Sequence, residues 1–417
     1  MTGTNGRQHA HMSNRLPSYI GFAGLWRLEL SGMQIARLGP LLEARLARNP
    51  SDAETMMDIA TLSILTLIPQ NREVAFAMQA RALDLQRVYC LEASRQPAAL
   101  RVLAIVSPGD MTAITHLDCM LEDSDVELHM LYARHGHPLP AELPEHDLVF
   151  VAIGESADNR PLLEQAAQFA QTSTQPVINS PDRILELSRE TVSQKLRMVA
   201  GTVMPETVKV DRERLQQVSR SEMPIAALFH DAAFPVIVRP VGSQGGKDLA
   251  KVDGPATLAA YLEATTGGEF FIASFIDYSG SGGMFRKFRV VMIDGRPFAC
   301  HMAISEHWMI HYVNADMDAS AWKREEEARF MAGFDESFAL KHERALKGID
   351  AMMGLEYYAI DCAETADGAL LIFEVDTAML VHAMDPVELY PYKQPQMRKV
   401  FEAFHLMLKA RITQAAK

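Results

Sequence analysis

Pro235-Val236-Ile237-Val238-Arg239-Pro240-Val241-Gly242-Ser243-Gln244-Gly245-Gly246-Lys247-Asp248 is the stretch on which the fold turns. A short β-branched run between prolines reads as a buried strand that carries Arg239 to its end. The residues Gly242, Ser243, Gln244, Gly245, Gly246 and Lys247 then form a flexible loop. Its glycines let the main chain come close to a ligand, and its free N–H groups can cradle phosphate oxygens. It is not a Walker loop: the GxxxxGK[ST] spacing fails, Asp248 stands where Ser or Thr belongs, and no helix is expected to follow. The competing reading is a plain hairpin loop beside a surface arginine.

Two further stretches carry chemistry. Ile360-Asp361 is followed by a turn at Ala366-Asp367-Gly368 and a returning strand that ends in Phe373-Glu374-Val375-Asp376. On adjacent strands Asp361 and Glu374 can be cross-strand neighbours, and Glu374 and Asp376, two apart, share a face. Carboxylates gathered in this way repel unless a hard cation such as magnesium neutralises them, and a solvated acidic strand end is the alternative. In Phe285-Arg286-Lys287-Phe288-Arg289-Val290-Val291, strand alternation puts Lys287 and Arg289 on one face and Arg286 and Phe288 on the other. Such a cation pair can stabilise a transferring phosphoryl group or an oxyanion, or can be a solvated edge.

Outward from these stretches the period changes twice. Residues from about 25 to 91 are helical. Leu38, Leu41, Leu42, Arg45 and Leu46 share a stripe, Ser51 reads as the N-cap of a helix from Ala53 to Leu67, and another helix runs from Glu73 to Val88. Ala80-Arg81-Ala82-Leu83-Asp84-Leu85 resembles the close of a tetratricopeptide repeat, although a single degenerate unit cannot bury a solenoid face alone. From Leu100 strands alternate with helices: Leu100–Val106, Val126–Tyr132 and Asp147–Ile153, a helix over Arg160–Gln171, and Pro176–Asn179. This argues for a small parallel α/β unit without a GxGxxG loop. A helix is expected over Pro181–Val199. Beyond Phe234 the pattern is antiparallel α+β, with a hairpin at Asp294-Gly295, a helical region over Ala321–Met353 and a C-terminal helix over Gln394–Thr413.

The order of cation plus glycine loop, hinge strand (Phe271 to Asp277), strand arginine and late carboxylates resembles the ATP-grasp superfamily. The nearest branch is that of glutathione synthase and the ribosomal-protein glutamate ligases. The resemblance covers about 98–413. It implies an ATP-grasp fold of two lobes (183–417), preceded by a small parallel α/β domain (98–182) and a helical N-terminal extension (1–97). It implies ATP and Mg2+ as cofactors. Arg239 stands where the family usually has Lys on the α-phosphate, and Gly242 to Gly246 would cover the β- and γ-phosphates. Main chain near Ala273, Ser274 and Phe275 would hold adenine, with Asp277 at the ribose. Arg289, with Lys287, would stabilise the charged intermediate. Asp361 and Glu374 match the metal ligands, joined by Asp376 where Asn is common. A second phosphate cation is Arg189 or Lys195, which the spacing does not decide. The implied activity is an ADP-forming carboxylate–amine ligase acting through an acyl phosphate, on an amino acid, small peptide or related carboxylate. His301 and His311, with Arg286 and Lys287, are candidates for recognising an acidic or amino-acid substrate. The rivals are an ATP-grasp phosphotransferase and a non-catalytic nucleotide-binding protein that docks a partner.

Length and composition agree with this outline. At about 150 residues per domain, 417 residues suggest two to three domains. The net charge of −13 disfavours nucleic acid and anionic membrane surfaces as general partners. Cys90, Cys119, Cys300 and Cys362 form no CxxC pair, which fits reduced thiols in a cytoplasmic protein rather than a disulfide framework or a zinc site. The expected partners are small carboxylate and amine substrates, a protein or peptide at the helical N-terminus, and a second copy in a homo-oligomer.

Overall fold

The structure is a computed structural model that describes residues 17–30, 35–66, 68–230, 232–243, 245–310 and 314–415. The chain forms two compact units, 1–91 and 92–417.

The first unit holds helices α1 (Gly21–Leu30), α2 (Ile35–Arg48), α3 (Ala53–Leu65) and α4 (Pro69–Leu85) and a short strand β1 (Val88–Leu91). Leu25, Leu38, Leu42 and Leu62 meet in its core. Leu41 points outward and is 51% exposed, because one helical step turns it about 100° from Leu42. Asp52, and not Ser51, caps α3: its Oδ1 accepts from Thr55 N at 2.9 Å while Arg45 Nε donates to Oδ2 at 3.0 Å. α4 begins at Pro69 rather than Glu73, since proline suits the first helical position, and it stops at Leu85, where Gln86 turns extended. The Asp58 carboxylate is fully buried and accepts from Ile20 N and Gly21 N at 3.0 and 3.1 Å, fixing the start of α1.

The second unit opens with parallel strands β2 (Leu100–Val106), β3 (Val126–Tyr132), β4 (Leu148–Val151) and β5 (Val177–Ile178), neighbours in the order β3-β2-β4-β5. Helices α5 (Leu117–Met120) and α6 (Arg160–Ala170) lie between them in the chain. The run expected as one helix over 181–199 is two, α7 (Pro181–Ile184) and α8 (Arg189–Leu196), because Ser188 caps a new start through Thr191 N.

Two antiparallel sheets follow. Strands β6 (Thr202–Val203), β7 (Thr207–Asp211), β8 (Val236–Pro240), β9 (Ala250–Val252) and β10 (Glu269–Ser274) come first in the chain, with helices α9 (Arg212–Ser219) and α10 (Pro255–Ala264) among them. β7, β10, β8 and β9 form one four-stranded sheet, backed by an apolar core of Val236, Val238, Phe270, Ile272, Leu215 and Leu258. β6, β7, α9 and α10 were not expected from the sequence pattern. Strands β11 (Phe285–Ile293), β12 (Arg296–Ser305), β13 (Tyr357–Glu364) and β14 (Leu370–Asp376) form the other sheet with β6, in the order β12-β11-β13-β14-β6, antiparallel except that β6 pairs parallel with β14. Asp294 and Gly295, with φ of 47° and 73°, make the tight β11–β12 turn, a backbone that favours glycine. The expected helical region at 321–353 is three helices, α11 (Ala321–Ala332), α12 (Phe338–Lys341) and α13 (Glu343–Met353). α14 (Lys393–Ala415) ends the described chain. The second unit thus combines a parallel α/β layer with two antiparallel α+β sheets. No helix among the described residues is long and apolar enough to cross a membrane.

Candidate functional site

A cavity of about 380 Å³ is walled by both antiparallel sheets and by loops of the parallel α/β layer. Strand alternation explains one wall. On β8 and β10 the residues Val236, Val238, Phe270 and Ile272 belong to the apolar core, so Ile237, Arg239, Phe271 and Ala273 line the other face. Arg239 lies opposite Phe271 across the ladder. Burial, with Arg189 nearby, pulls the Arg239 guanidinium down to about 10.

The second wall carries a row of ionic groups. Arg289 on β11 pairs in register with Asp361 on β13, and Asp361 pairs with Glu374 on β14. Lys287 lies two residues along β11 from Arg289, and Asp376 two along β14 from Glu374, so all five lie on the same face, and all five line the cavity. β-bulges interrupt the ladders between Arg289 and Val290 and between Asp361 and Cys362, next to the row itself. Such irregularities re-aim side chains at the point where regular pairing stops.

Asp361 is almost wholly buried and receives three contacts: Lys287 Nζ at 2.6 Å, Arg289 Nε at 2.8 Å and Arg289 Nη2 at 3.1 Å. Burial alone would raise its carboxyl, but Arg289 and Lys287 hold it well below the usual carboxylate range. Arg289 also donates from Nη1 to the Leu380 carbonyl at 2.9 Å. Arg286 and Phe288 take the opposite face, where Arg286 pairs with Glu326 and Phe288 packs against Phe330 and Phe338.

Glu374 is bound by Arg189, the first residue of α8. Burial, followed by the neighbouring Glu374 charge, pushes the Asp376 carboxyl up to about 7. Glu155 belongs to the same carboxylate group: with Arg189, Glu374 and Asp376 it lines a small adjoining recess, and burial raises its carboxyl too. Two carboxylates held together on one strand face, one driven toward its protonated form, are a donor set that a hard divalent cation fits. Asp361, in contrast, faces two cations in this structure.

The remaining expected site residues divide. Gly245, Gly246, Ala273, Ser274 and Phe275 line the cavity. Gly245 and Gly246 have φ of 59° and 72°, a backbone that glycine adopts without strain. Gly242, Ser243 and Lys247 lie outside the lining, but Ser243 Oγ accepts from Arg239 Nε at 3.2 Å and donates to the Lys247 carbonyl at 2.8 Å, tying the loop to the arginine. Gln244 lies outside the described residues. Asp277 is exposed, away from the lining, and accepts from Ser279 N at 2.9 Å. Of the two candidate cations Arg189 reaches the cavity, whereas Lys195 pairs with Glu186 at 2.6 Å. Six residues on a helix turn through about 600°, so the two cannot share a face. His301 does not line the cavity, and His311 lies outside the described residues.

Two ends of the cavity escaped the sequence reading. At the hinge end, Phe275 meets Trp308 edge-on, with ring centroids 5.7 Å apart, and Phe271, Ile276, Met309 and Ile310 complete an apolar wall. At the loop end, Met111 and Thr112 from the α/β layer face Ala378, Met379 and Leu380. Nothing in the local sequence marks Met111 as a cleft residue, since its position depends on contacts made far along the chain.

No protein-family model matches the chain, and no curated protein matches it. Among solved structures the chain is similar to a RimK domain ATP-grasp protein from Sphaerobacter thermophilus, with 15% identity, a TM-score of 0.43, and cover of 75% of this chain and 99% of that one. It is also similar to the VanG D-Ala:D-Ser ligase from Enterococcus faecalis, with 15% identity, a TM-score of 0.46, and cover of 76% and 99%. A D-alanyl-alanine synthetase A from Vibrio cholerae matches at 9% identity and a TM-score of 0.46, with cover of 76% and 99%. These likenesses are distant, and the functional reading rests on the geometry of the cavity.

Proposed function

We propose that the chain is an ATP-dependent ligase that joins a carboxylate to an amine through an acyl phosphate. The observation that supports this is the Arg289–Asp361–Glu374 row, which crosses three strands and shares one cavity with Arg239 and Arg189. Four cations and three carboxylates line the cavity among the described residues, although the chain as a whole carries a net charge of −13. The acidity belongs to the rest of the chain, and the cavity runs against it.

The residues divide the work by position. The hinge end offers apolar faces for a purine and the main chain of Ala273–Phe275 for its polar edge. Arg239 and Arg189, with the backbone of Gly245 and Gly246, meet the phosphates. Glu374 and Asp376 would hold Mg2+. When bound, the ion neutralises charge on the transferring phosphoryl oxygens. Lys287 and Arg289, already fixed by Asp361, need no reorganisation to stabilise the oxyanion that develops when an amine attacks an activated carboxyl. This chemistry requires no covalent nucleophile from the protein.

The test is trapping with hydroxylamine. A carboxylate substrate supplied with ATP and Mg2+ is expected to yield its hydroxamate in step with ADP. ADP release accompanied by a stable phosphorylated product, with no hydroxamate, would identify a phosphotransferase instead.

A further inference from the structure

Two of the roles proposed above fall on residues that are bonded to each other. Arg189 is to meet the phosphates and Glu374 the metal ion, yet Arg189 Nη2 donates to Glu374 Oε1. A divalent cation on that carboxylate and a guanidinium in contact with it repel each other. Each role therefore requires this bond to open.

The backbone around the pair is anchored. Ser188 Oγ accepts from Thr191 N at 3.3 Å and caps α8 just before Arg189. Ser193 Oγ accepts from Thr207 N and Glu190 Oε1 from Lys209 N, both at 3.2 Å, which ties α8 to β7 of the four-stranded sheet. Glu374 stands on β14, so the bond joins a helix tied to one sheet to a strand of the other. The two side chains keep 22% and 30% exposure, and both line the cavity. Opening the bond needs a side-chain rotation and no movement of the main chain.

Charge decides what replaces the bond. Asp361 is balanced by Lys287 and Arg289, and Glu374 by Arg189. Arg239 stands in the field of both partners: besides burial, the Arg189 charge disfavours its own, and Glu374 acts the other way. A metal ion that took Glu374 alone would leave the Arg189 and Arg239 guanidiniums facing each other without that carboxylate. A phosphate chain that took Arg189 alone would leave Glu374 bare beside phosphate oxygens. When both arrive, the ion replaces the guanidinium at Glu374 and the phosphates replace the carboxylate at Arg189.

Resting on the ligase reading, we propose that Arg189 is an exchangeable counter-ion of Glu374, which blocks the metal site until nucleotide phosphates take up the guanidinium. The site then accepts metal and nucleotide as a unit and resists a lone metal ion. Arg189 acts in opposite directions on the two: it opposes the lone ion and favours the metal–nucleotide pair.

The experiment titrates Mn2+, which takes the same oxygen ligands as Mg2+, into the full-length protein and counts the free ion by its paramagnetic resonance signal. Binding at the site is the part lost in Glu374→Gln. Without nucleotide, Arg189→Met and Arg189→Gln should bind Mn2+ about tenfold more tightly than wild type, as expected for release of one charge-assisted hydrogen bond. Arg239→Met removes an equal charge that is not bonded to Glu374, so it should gain about twofold or less. With Mn2+ present, calorimetry should show a non-hydrolysable ATP analogue binding both Arg189 variants about tenfold more weakly than wild type. Each variant is to keep a cooperative melt. No gain for the lone ion in either folded Arg189 variant, an equal gain in Arg239→Met, or undiminished analogue binding in the Arg189 variants would overturn the exchange. Tight binding of the metal–analogue pair by wild type alongside any of these would leave the ligase reading standing. Failure of that pair to bind wild type, with the gain for the lone ion present, would instead remove the ligase reading.

Discussion

Asp376 offers a quantitative handle on the site. Its carboxyl is raised to about 7 by burial and by the Glu374 charge, from a usual value of 3.8. A raised carboxyl binds its proton more tightly in the folded protein than in the unfolded chain. It therefore makes the metal-free protein less stable as pH rises from about 4 to 7. A divalent cation must displace that proton. With half-titration near 7, about one copy in eleven is ionised at pH 6 and about ten in eleven at pH 8, so apparent Mg2+ affinity should rise about tenfold between them. Asp376→Asn keeps an oxygen ligand but has no proton to release, so it should lose that tenfold change. Calorimetric Mg2+ titration of the nucleotide-analogue complex at pH 6 and 8, wild type against Asp376→Asn, cancels the nucleotide's own titration. In paired buffers of different ionisation enthalpy the wild type should release about 0.9 more protons per ion than the variant at pH 6, and about 0.1 more at pH 8. Equal pH dependence and equal proton release in the two proteins would refute the placement of the ion at Asp376.

Further outcomes follow from single contacts. Asp361→Ala leaves Lys287 and Arg289 buried without their carboxylate and should cost about 3–5 kcal/mol, read as an earlier urea transition; an unchanged midpoint would show that the row carries no such pairing. Gly245→Ala meets open space but keeps φ at 59°, so backbone strain of about 1 kcal/mol should weaken nucleotide binding roughly fivefold with little change in the melt. Asp58 is pushed up to about 7 by burial, so the first unit should gain stability as pH falls from 7 to 5. Protection factors at α1 amides, corrected for the intrinsic pH dependence of exchange, should rise over that range in the wild type and stay flat in Asp58→Asn.

The strands that carry the chemistry were legible because alternation is a local property. Val236, Val238 and the glycine loop announce β8, and Glu374 and Asp376 announce their shared face two residues apart. The Asp361–Glu374 pair was legible from the short connection between its strands, but its continuation to Arg289 was not, because that needs the β11–β13 register, which joins strands far apart in the chain. Arg189 was separable from Lys195 only by helix phase relative to a wall the sequence does not display. Ser51 looked like a cap by residue type, but the backbone at Asp52 is the one that takes the capping conformation. Met111, Trp308 and Leu380 reach the cavity through long-range packing and carry no local signature.

The most direct test of the ligase reading is ADP release from ATP and Mg2+ over pairs of carboxylates and amines. The account predicts turnover that requires both members of a pair and disappears in Glu374→Ala. Nucleotide binding without pair-dependent ADP release, or turnover undiminished in Glu374→Ala, would contradict it.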